Sequence, residues 1–269
     1  MVHFEGVALS DTGLVRDLDE DSGLVSARLA LVADGVGGEA AGEIASMLVT
    51  EVLSTCLSGH VRHRRPADLL RGAVTAAQAR LRQEATRRPE CAGMATTLTA
   101  VLTDGRRTAV AHVGDSRLYI LRRGTLTCLT DDHTLAREIS ADGSFAVAEE
   151  VHQAWSHVLV RSLNGGPASM ADEPDVLEVE LRPGDRLLLT TDGLTDLVPD
   201  ERLRTVLAFP GAGLAASRLL EDALENGGYD NVTCVVLDVL PGDAVTDAPR
   251  SVGAAAGQGQ DTVVDPTPH

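Results

Sequence analysis

The sequence predicts an α+β fold in which antiparallel sheets are covered by helices. Three observations carry that prediction. Strand-like segments come in runs, helical segments come in pairs, and strict β-α-β alternation is absent. Apolar residues make up 43% of the 269 residues, which suffices for a full core without disulfides or structural metal. At Pro241 the composition shifts to Gly, Ala, Pro, Asp, Thr and Gln. That shift divides the chain into one folded domain, residues 1–240, and a tail, residues 241–269. The tail is expected to be disordered, because it lacks the large apolar groups that offset ordering entropy.

Taken in order, Val7-Ala8-Leu9 starts the first strand and Ser10-Asp11-Thr12-Gly13 ends it in a turn. Gly23 to Val32 is a long Leu/Val/Ala-rich run. Ala40 to Leu57 is read as a helix with Ile44, Met47, Leu48 and Val52 on one stripe. Pro66, a favoured first-turn residue, opens a second helix towards Arg87. Strands follow at 96–102, 108–113, 117–121 and 125–129, the last two joined through Arg122-Arg123-Gly124 as a hairpin. Residues 133–160 are read as helical or irregular. Leu177, Val179 and Leu181 alternate with acids in strand period. Arg182-Pro183-Gly184-Asp185 then fits a type II turn into a returning strand at 186–191. A helix at 212–225 and a strand at 231–240 complete the domain. No internal repeat is evident.

The net charge of −17 argues against nucleic-acid binding. Every basic residue apart from histidine is Arg, which excludes Schiff-base chemistry and a phosphate-binding lysine of the P-loop or kinase kind. No run approaches the roughly 18 apolar residues of a membrane span, and Met1-Val2-His3-Phe4-Glu5 lacks a signal-peptide layout. Four widely spaced cysteines without a C-x-x-C pair are expected as small buried residues in a reducing cytoplasm.

Acidic residues recur where an apolar strand begins or ends: Glu20-Asp21, Asp34-Gly35, Asp115-Ser116, Asp192-Gly193 and Asp230-Asn231. One Asp-Gly is an ordinary turn pair. Several carboxylates gathered at one sheet edge would repel each other unless hard divalent cations, Mg²⁺ or Mn²⁺, neutralised them. Gly35-Val36-Gly37-Gly38-Glu39-Ala40 imitates the dinucleotide fingerprint. The abutting Asp34 would repel a pyrophosphate, and no second acid-terminated strand follows the helix, so that reading is rejected.

With these residues in view, the sequence resembles the metal-dependent (type 2C) serine/threonine protein phosphatases in their compact bacterial form. The motifs are Arg16-Asp17-Leu18-Asp19-Glu20-Asp21-Ser22, Val32-Ala33-Asp34-Gly35-Val36-Gly37-Gly38, Ala95-Thr96-Thr97 and Val113-Gly114-Asp115-Ser116-Arg117. Further along come Leu129-Thr130-Asp131-Asp132-His133, Pro183-Gly184-Asp185-Arg186, Thr191-Asp192-Gly193-Leu194-Thr195-Asp196 and Asp230-Asn231-Val232-Thr233. They occur in the family's order over about residues 5–240.

The resemblance implies a four-layer αββα sandwich, two central antiparallel sheets flanked by helices, with a binuclear metal centre at one edge. It implies that Asp34 bridges two Mn²⁺ or Mg²⁺ ions, that the Gly35 carbonyl binds one, and that Asp192 and Asp230 complete the other site. Glu20 and Asp21 are implied as ligands or as partners of bound water. Asp115 with Asp192 matches a third, weaker site, whose remaining ligand among Asp142, Asp172 and Asp175 is not assigned. Arg16 matches the phosphate-gripping arginine.

The implied reaction is hydrolysis of phosphoserine and phosphothreonine by in-line attack of a hydroxide held between two ions. The implied protein is a cytoplasmic monomer whose partners are phosphorylated proteins, substrates of a Ser/Thr kinase or the kinase itself, and not nucleic acid or membrane. A phosphatase of an anti-anti-sigma-type regulator and a catalytically silent binding module are the alternatives. Val36 stands where eukaryotic relatives carry a proton-donating histidine. Ala95 replaces a usual glycine and is expected to load a tight backbone position. His133 is read as structural.

Overall fold

The computed structural model describes residues 1–36, 41–57, 64–142, 155–166, 173–243 and 249–256. In chain order the elements are strands β1 (Val2–Asp11), β2 (Ser22–Val25), β3 (Leu29–Ala33) and β4 (Gly35–Val36), then helices α1 (Gly42–Leu57) and α2 (Pro66–Arg87). Strands β5 (Ala95–Thr96), β6 (Leu98–Thr103), β7 (Thr108–Val113), β8 (Arg117–Arg122) and β9 (Thr125–Cys128) lead to α3 (Leu135–Asp142). Then come β10 (Leu163–Asn164), β11 (Asp175–Val179), β12 (Arg186–Thr190), α4 (Asp192–Thr195), α5 (Asp200–Leu207), α6 (Ala212–Glu225), β13 (Val232–Pro241) and β14 (Arg250–Gly253).

Two antiparallel sheets stack face to face, one ordered β1-β13-β12-β8-β9 and the other β11-β7-β6-β3-β2-β14. A small sheet, β10-β5-β4, lies beside them. The central strands are buried on both faces, which is why they read as unbroken apolar runs and show no alternation. In β3, Ala30 and Val32 enter the core between the sheets while Leu29 and Leu31 pack under α1 and α2. In β13, Val235, Leu237 and Val239 face the inter-sheet core, and Val232, Cys234 and Val236 face α5 and α6. Three cores therefore separate four layers, as the sandwich expectation requires.

The long run 23–32 is split by a turn in which Ser26 Oγ accepts from the Leu29 amide at 3.0 Å. The hairpin at 122–124 places Arg123 and Gly124 at φ 52° and 80°, the doubly left-handed geometry that suits the strand twist. Helix α5 and the small-sheet strands were not anticipated from the sequence. Ala95 has no positive φ, so the expected strain there is absent.

The tail expectation needs correcting at residues 250–253. They form β14, paired antiparallel with β2 from Arg250↔Val25 to Gly253↔Ser22. Val252 is only 6% exposed within the inter-sheet core. One buried valine and an open sheet edge sufficed where average composition argued for disorder. All four cysteines are free, but Cys56 and Cys128 are exposed, contrary to the core placement expected of them. Among the described residues no helix is long and apolar enough to cross a membrane.

Candidate metal centre

Strand polarity gathers the acids. Because β2 and β3 run antiparallel, Glu20 and Asp21 before β2 lie at the same edge as Asp34 after β3. In the other sheet β12 is antiparallel to both β13 and β8, so Asp192 after β12 lies beside Asp230 before β13 and Asp115 before β8. The edges meet in a cleft of about 520 Å³ lined by Arg16, Glu20, Asp34, Gly35, Asp115, Asp192 and Asp230. Asp21, the remaining predicted site residue, is 1% exposed, close enough to Asp34 to act on its ionisation. The structure thus brings all the predicted site residues together.

Short hydrogen bonds hold this edge in shape. The Asp34 amide donates to Thr97 Oγ1 at 3.0 Å, and the Asp34 carbonyl accepts from Thr96 Oγ1 at 2.8 Å and from the Thr97 amide at 2.9 Å. Thr97 Oγ1 also meets Ser116 Oγ at 2.7 Å, linking the Asp34 and Asp115 corners. A Cβ at Gly35 would fall 2.4 Å from the Gly42 backbone, so glycine alone lets the start of α1 approach β4 this closely. Glu20 is fixed through its backbone: its amide donates to Asn231 Oδ1 at 2.9 Å, and its carbonyl accepts from Ser46 Oγ and the Gly35 amide. Asn231 Nδ2 further donates to the carbonyls of Thr12 and Leu18, pinning the loop that carries Arg16. Arg16 Nη2 donates to Asp230 Oδ2 at 2.9 Å.

The electrostatics call for cations. Burial first, and then Asp21, Asp192, Asp115 and Asp230, push the Asp34 carboxyl well above its ordinary range. Burial and neighbouring carboxylates likewise raise Asp21, Asp115 and Asp192. Asp192 adds to the rise at Asp34, so the two carboxylates are close enough to feel each other's charge, a placement two bare anions would avoid. Asp21 Oδ2 accepts from Thr191 Oγ1 at 2.8 Å, whereas buried Oδ1 has no hydrogen-bond partner. An all-oxygen anionic donor set with a buried, unsatisfied oxygen fits hard divalent ions.

Sequence reasoning missed two members of the cleft. Ligand atoms of His157, Asp192 and Asp196 lie within 4.8 Å of one another, with His157 Nδ1 3.4 Å from Asp196 Oδ2. Burial, then Asp192, pushes the Asp196 carboxyl up to about 6. Asp196 closes the Asp192 motif and could have been singled out there; His157 had no signal in a weakly patterned stretch. His133 is buried, its Nε2 3.1 Å from Asp175 Oδ2 and its Nδ1 accepting from the Gly114 amide, which agrees with a structural role. Asp175 is occupied by His133 and Arg161 and does not line the cleft. The Asp142 side chain and Asp172 lie outside what is described.

A sequence profile of the family described as protein phosphatase 2C matches residues 17–225. The serine/threonine protein phosphatase PstP of Mycobacterium tuberculosis is 41% identical over 254 residues, 93% of this chain and 48% of PstP. The chain thus spans about half the length of that relative. The serine/threonine phosphatase stp of Listeria monocytogenes is 29% identical over 238 residues, 85% of this chain and 93% of the relative. The crystal structure of the PstP catalytic domain in complex with two manganese ions matches with a TM-score of 0.80 at 40% identity, covering 89% of this chain and 100% of that one. Stp1 from Staphylococcus aureus matches with a TM-score of 0.78 at 28% identity, covering 87% and 94%.

Proposed function

Since the chain belongs to the protein phosphatase 2C family, we propose that it hydrolyses phosphoserine and phosphothreonine in proteins, using two Mn²⁺ or Mg²⁺ ions at the Asp34 cluster. The observation that carries this reading is the convergence of Asp21, Asp34, Asp192 and Asp230 where the edges of the two sheets meet, with Asp21, Asp34 and Asp192 raised in pKa by burial and by neighbouring carboxylates and the cleft faced by one arginine. When bound, the two ions supply a water of lowered pKa and neutralise phosphoryl charge for in-line displacement.

Asp34, Asp192, Asp230 and the Gly35 carbonyl would hold the pair, with Glu20 and Asp21 holding coordinated water. Asp115 and Asp192 would take a third, weaker ion, and Asp196 and His157 stand beside them. Arg16 reaches the cleft from a pinned loop. Asp230 engages only its Nη2, so its other N–H donors can grip a phosphate. Val36 lines the same cleft and has no proton to give.

Phosphorylated proteins of a Ser/Thr kinase system in a reducing cytoplasm are the proposed partners, in keeping with four free cysteines. The intact ligand set favours catalysis over a silent binding module. The deciding experiment is hydrolysis of a phosphothreonine peptide after EDTA treatment. Activity should vanish and return with Mn²⁺, and full activity in metal-free protein would sink the two-ion reading.

A further inference from the structure

Among the described residues, six of the nine exposed large apolar side chains gather at the cleft, while Met1, Leu177 and Leu214 lie elsewhere. Leu14, Val15 and Leu18 are 68%, 67% and 52% exposed, and all three sit on the loop that presents Arg16 to the cleft. Val36 and Tyr229, also exposed, line the cleft itself. Val158, 43% exposed, stands between the cleft-lining residues His157 and Leu159.

The loop is held in place. The Leu14 amide donates to the Gly228 carbonyl at 2.6 Å, the Gly13 amide donates to Asp11 Oδ1 at 2.8 Å, and Asn231 Nδ2 holds the Thr12 and Leu18 carbonyls. Leu14 lies over Gly228, next to Tyr229, so the two arcs of the rim touch. A fixed loop that shows leucines and valines to water beside a cleft marks a contact surface, whereas isolated exposed apolar residues would mean nothing. The cleft inside this rim is acidic, with Glu20, Asp196 and Asp230 facing Arg16, on a chain of net charge −17. Bound ions and Arg16 can neutralise one phosphoryl group, but among the described residues Arg16 and His157 are the only basic side chains lining the cleft, against six carboxylates.

Resting on the phosphatase reading above, we propose that this apolar rim selects the sequence around the phosphoresidue. Its occupant is a phosphopeptide segment with apolar side chains next to the phosphoserine or phosphothreonine and no acidic ones. Burying one such side chain against Leu14, Val15 or Leu18 is worth about tenfold in kcat/KM, expressed mainly through KM.

The test uses the full chain with Mn²⁺ and three phosphothreonine peptides that differ only in the flanking residues: leucine and valine, serine, or glutamate. Nitrophenyl phosphate, which has no flanks, reports the chemistry alone. The expected result is a preference for the apolar-flanked peptide of about tenfold over the serine-flanked one, with the glutamate-flanked peptide poorest. The triple variant Leu14→Ser, Val15→Ser, Leu18→Ser should lose that preference and keep its melting temperature and its nitrophenyl phosphate kcat/KM.

Equal kcat/KM for the apolar- and serine-flanked peptides, or a preference that survives the triple substitution, would overturn the proposal. So would a chain that sediments as a dimer and becomes monomeric in the triple variant, since a second copy would then cover the rim. Failure to hydrolyse nitrophenyl phosphate and all three peptides would remove the phosphatase reading itself, and the rim proposal with it.

Discussion

At Asp34 the neighbours set both the backbone position and the charge state of one residue. Its backbone is clamped on both sides by Thr96 and Thr97, and its carboxylate is placed where burial and other acids disfavour charge. Asp34→Asn or Asp192→Asn should therefore have two effects of opposite sign. Mn²⁺ affinity should fall by about a hundredfold or more, since loss of even an outer-shell partner costs 10–100-fold. The metal-free melting temperature should hold or rise, because a repulsive charge has gone. Calorimetric titration together with melts in EDTA checks both, and unchanged Mn²⁺ affinity would show that the centre lies elsewhere. Arg16→Ala should chiefly raise KM for a phosphopeptide; any fall in kcat measures contacts that strengthen in the transition state. An unchanged kcat/KM would return Arg16, which is half-exposed, to the surface.

At the scale of elements, β14 is the segment whose contribution composition concealed. It covers the edge of β2, buries Val252, and brings the Ala254 amide to the Asp21 carbonyl at 2.7 Å. Gly253, at φ 66°, has no room for a Cβ, which would lie 2.3 Å from that same carbonyl. Val252→Ser removes apolar contacts and buries a hydroxyl, so it should cost about 2 kcal/mol. Urea denaturation should show a lower midpoint with an unchanged slope. Deleting residues 249–269 should lower the melting temperature by several degrees, since it uncovers a buried sheet edge as well. A truncated chain that melts like the full one would restore the picture of a dispensable tail.

For the whole molecule, two sets of carboxylates act in opposite directions on the pH dependence of stability. Asp185, held by Arg122, and Asp222, held by Arg202 and Arg218, lie below their ordinary range, so their contribution is lost as pH falls through the folded-state values. Asp21, Asp34, Asp115 and Asp192 lie above it, and Asp196 is raised to about 6. Between about pH 4 and those raised values the metal-free folded chain binds more protons than the unfolded one, so stability falls as pH rises. In EDTA the melting temperature should therefore drop from pH 5 to pH 7.5. Saturating Mn²⁺ should abolish that drop and raise the melt by mass action. A metal-free melting temperature flat across this window would contradict the clustered carboxylates.

Local order and the identity of the acids were legible in the sequence because both depend on neighbours along the chain. Pro66 opening α2, the hairpin at 122–124 and acids at strand ends are matters of a few residues. The ordered motif set then named the ligand candidates. The tertiary structure alone decided which surfaces meet. Antiparallel pairing lines up the acids at an edge of each sheet, and the stacking of the two sheets brings residues as distant as Asp34 and Asp230 into one cleft. Asn231 reaches back across the chain to hold the Arg16 loop. His157 and Asp196 join the cleft, and Leu14, Val15 and Leu18 surround it, through contacts that no local pattern encodes. β14 became a strand for the same reason. Pairing energy comes from a partner far away in sequence, here β2, whereas propensity and composition describe only the segment itself.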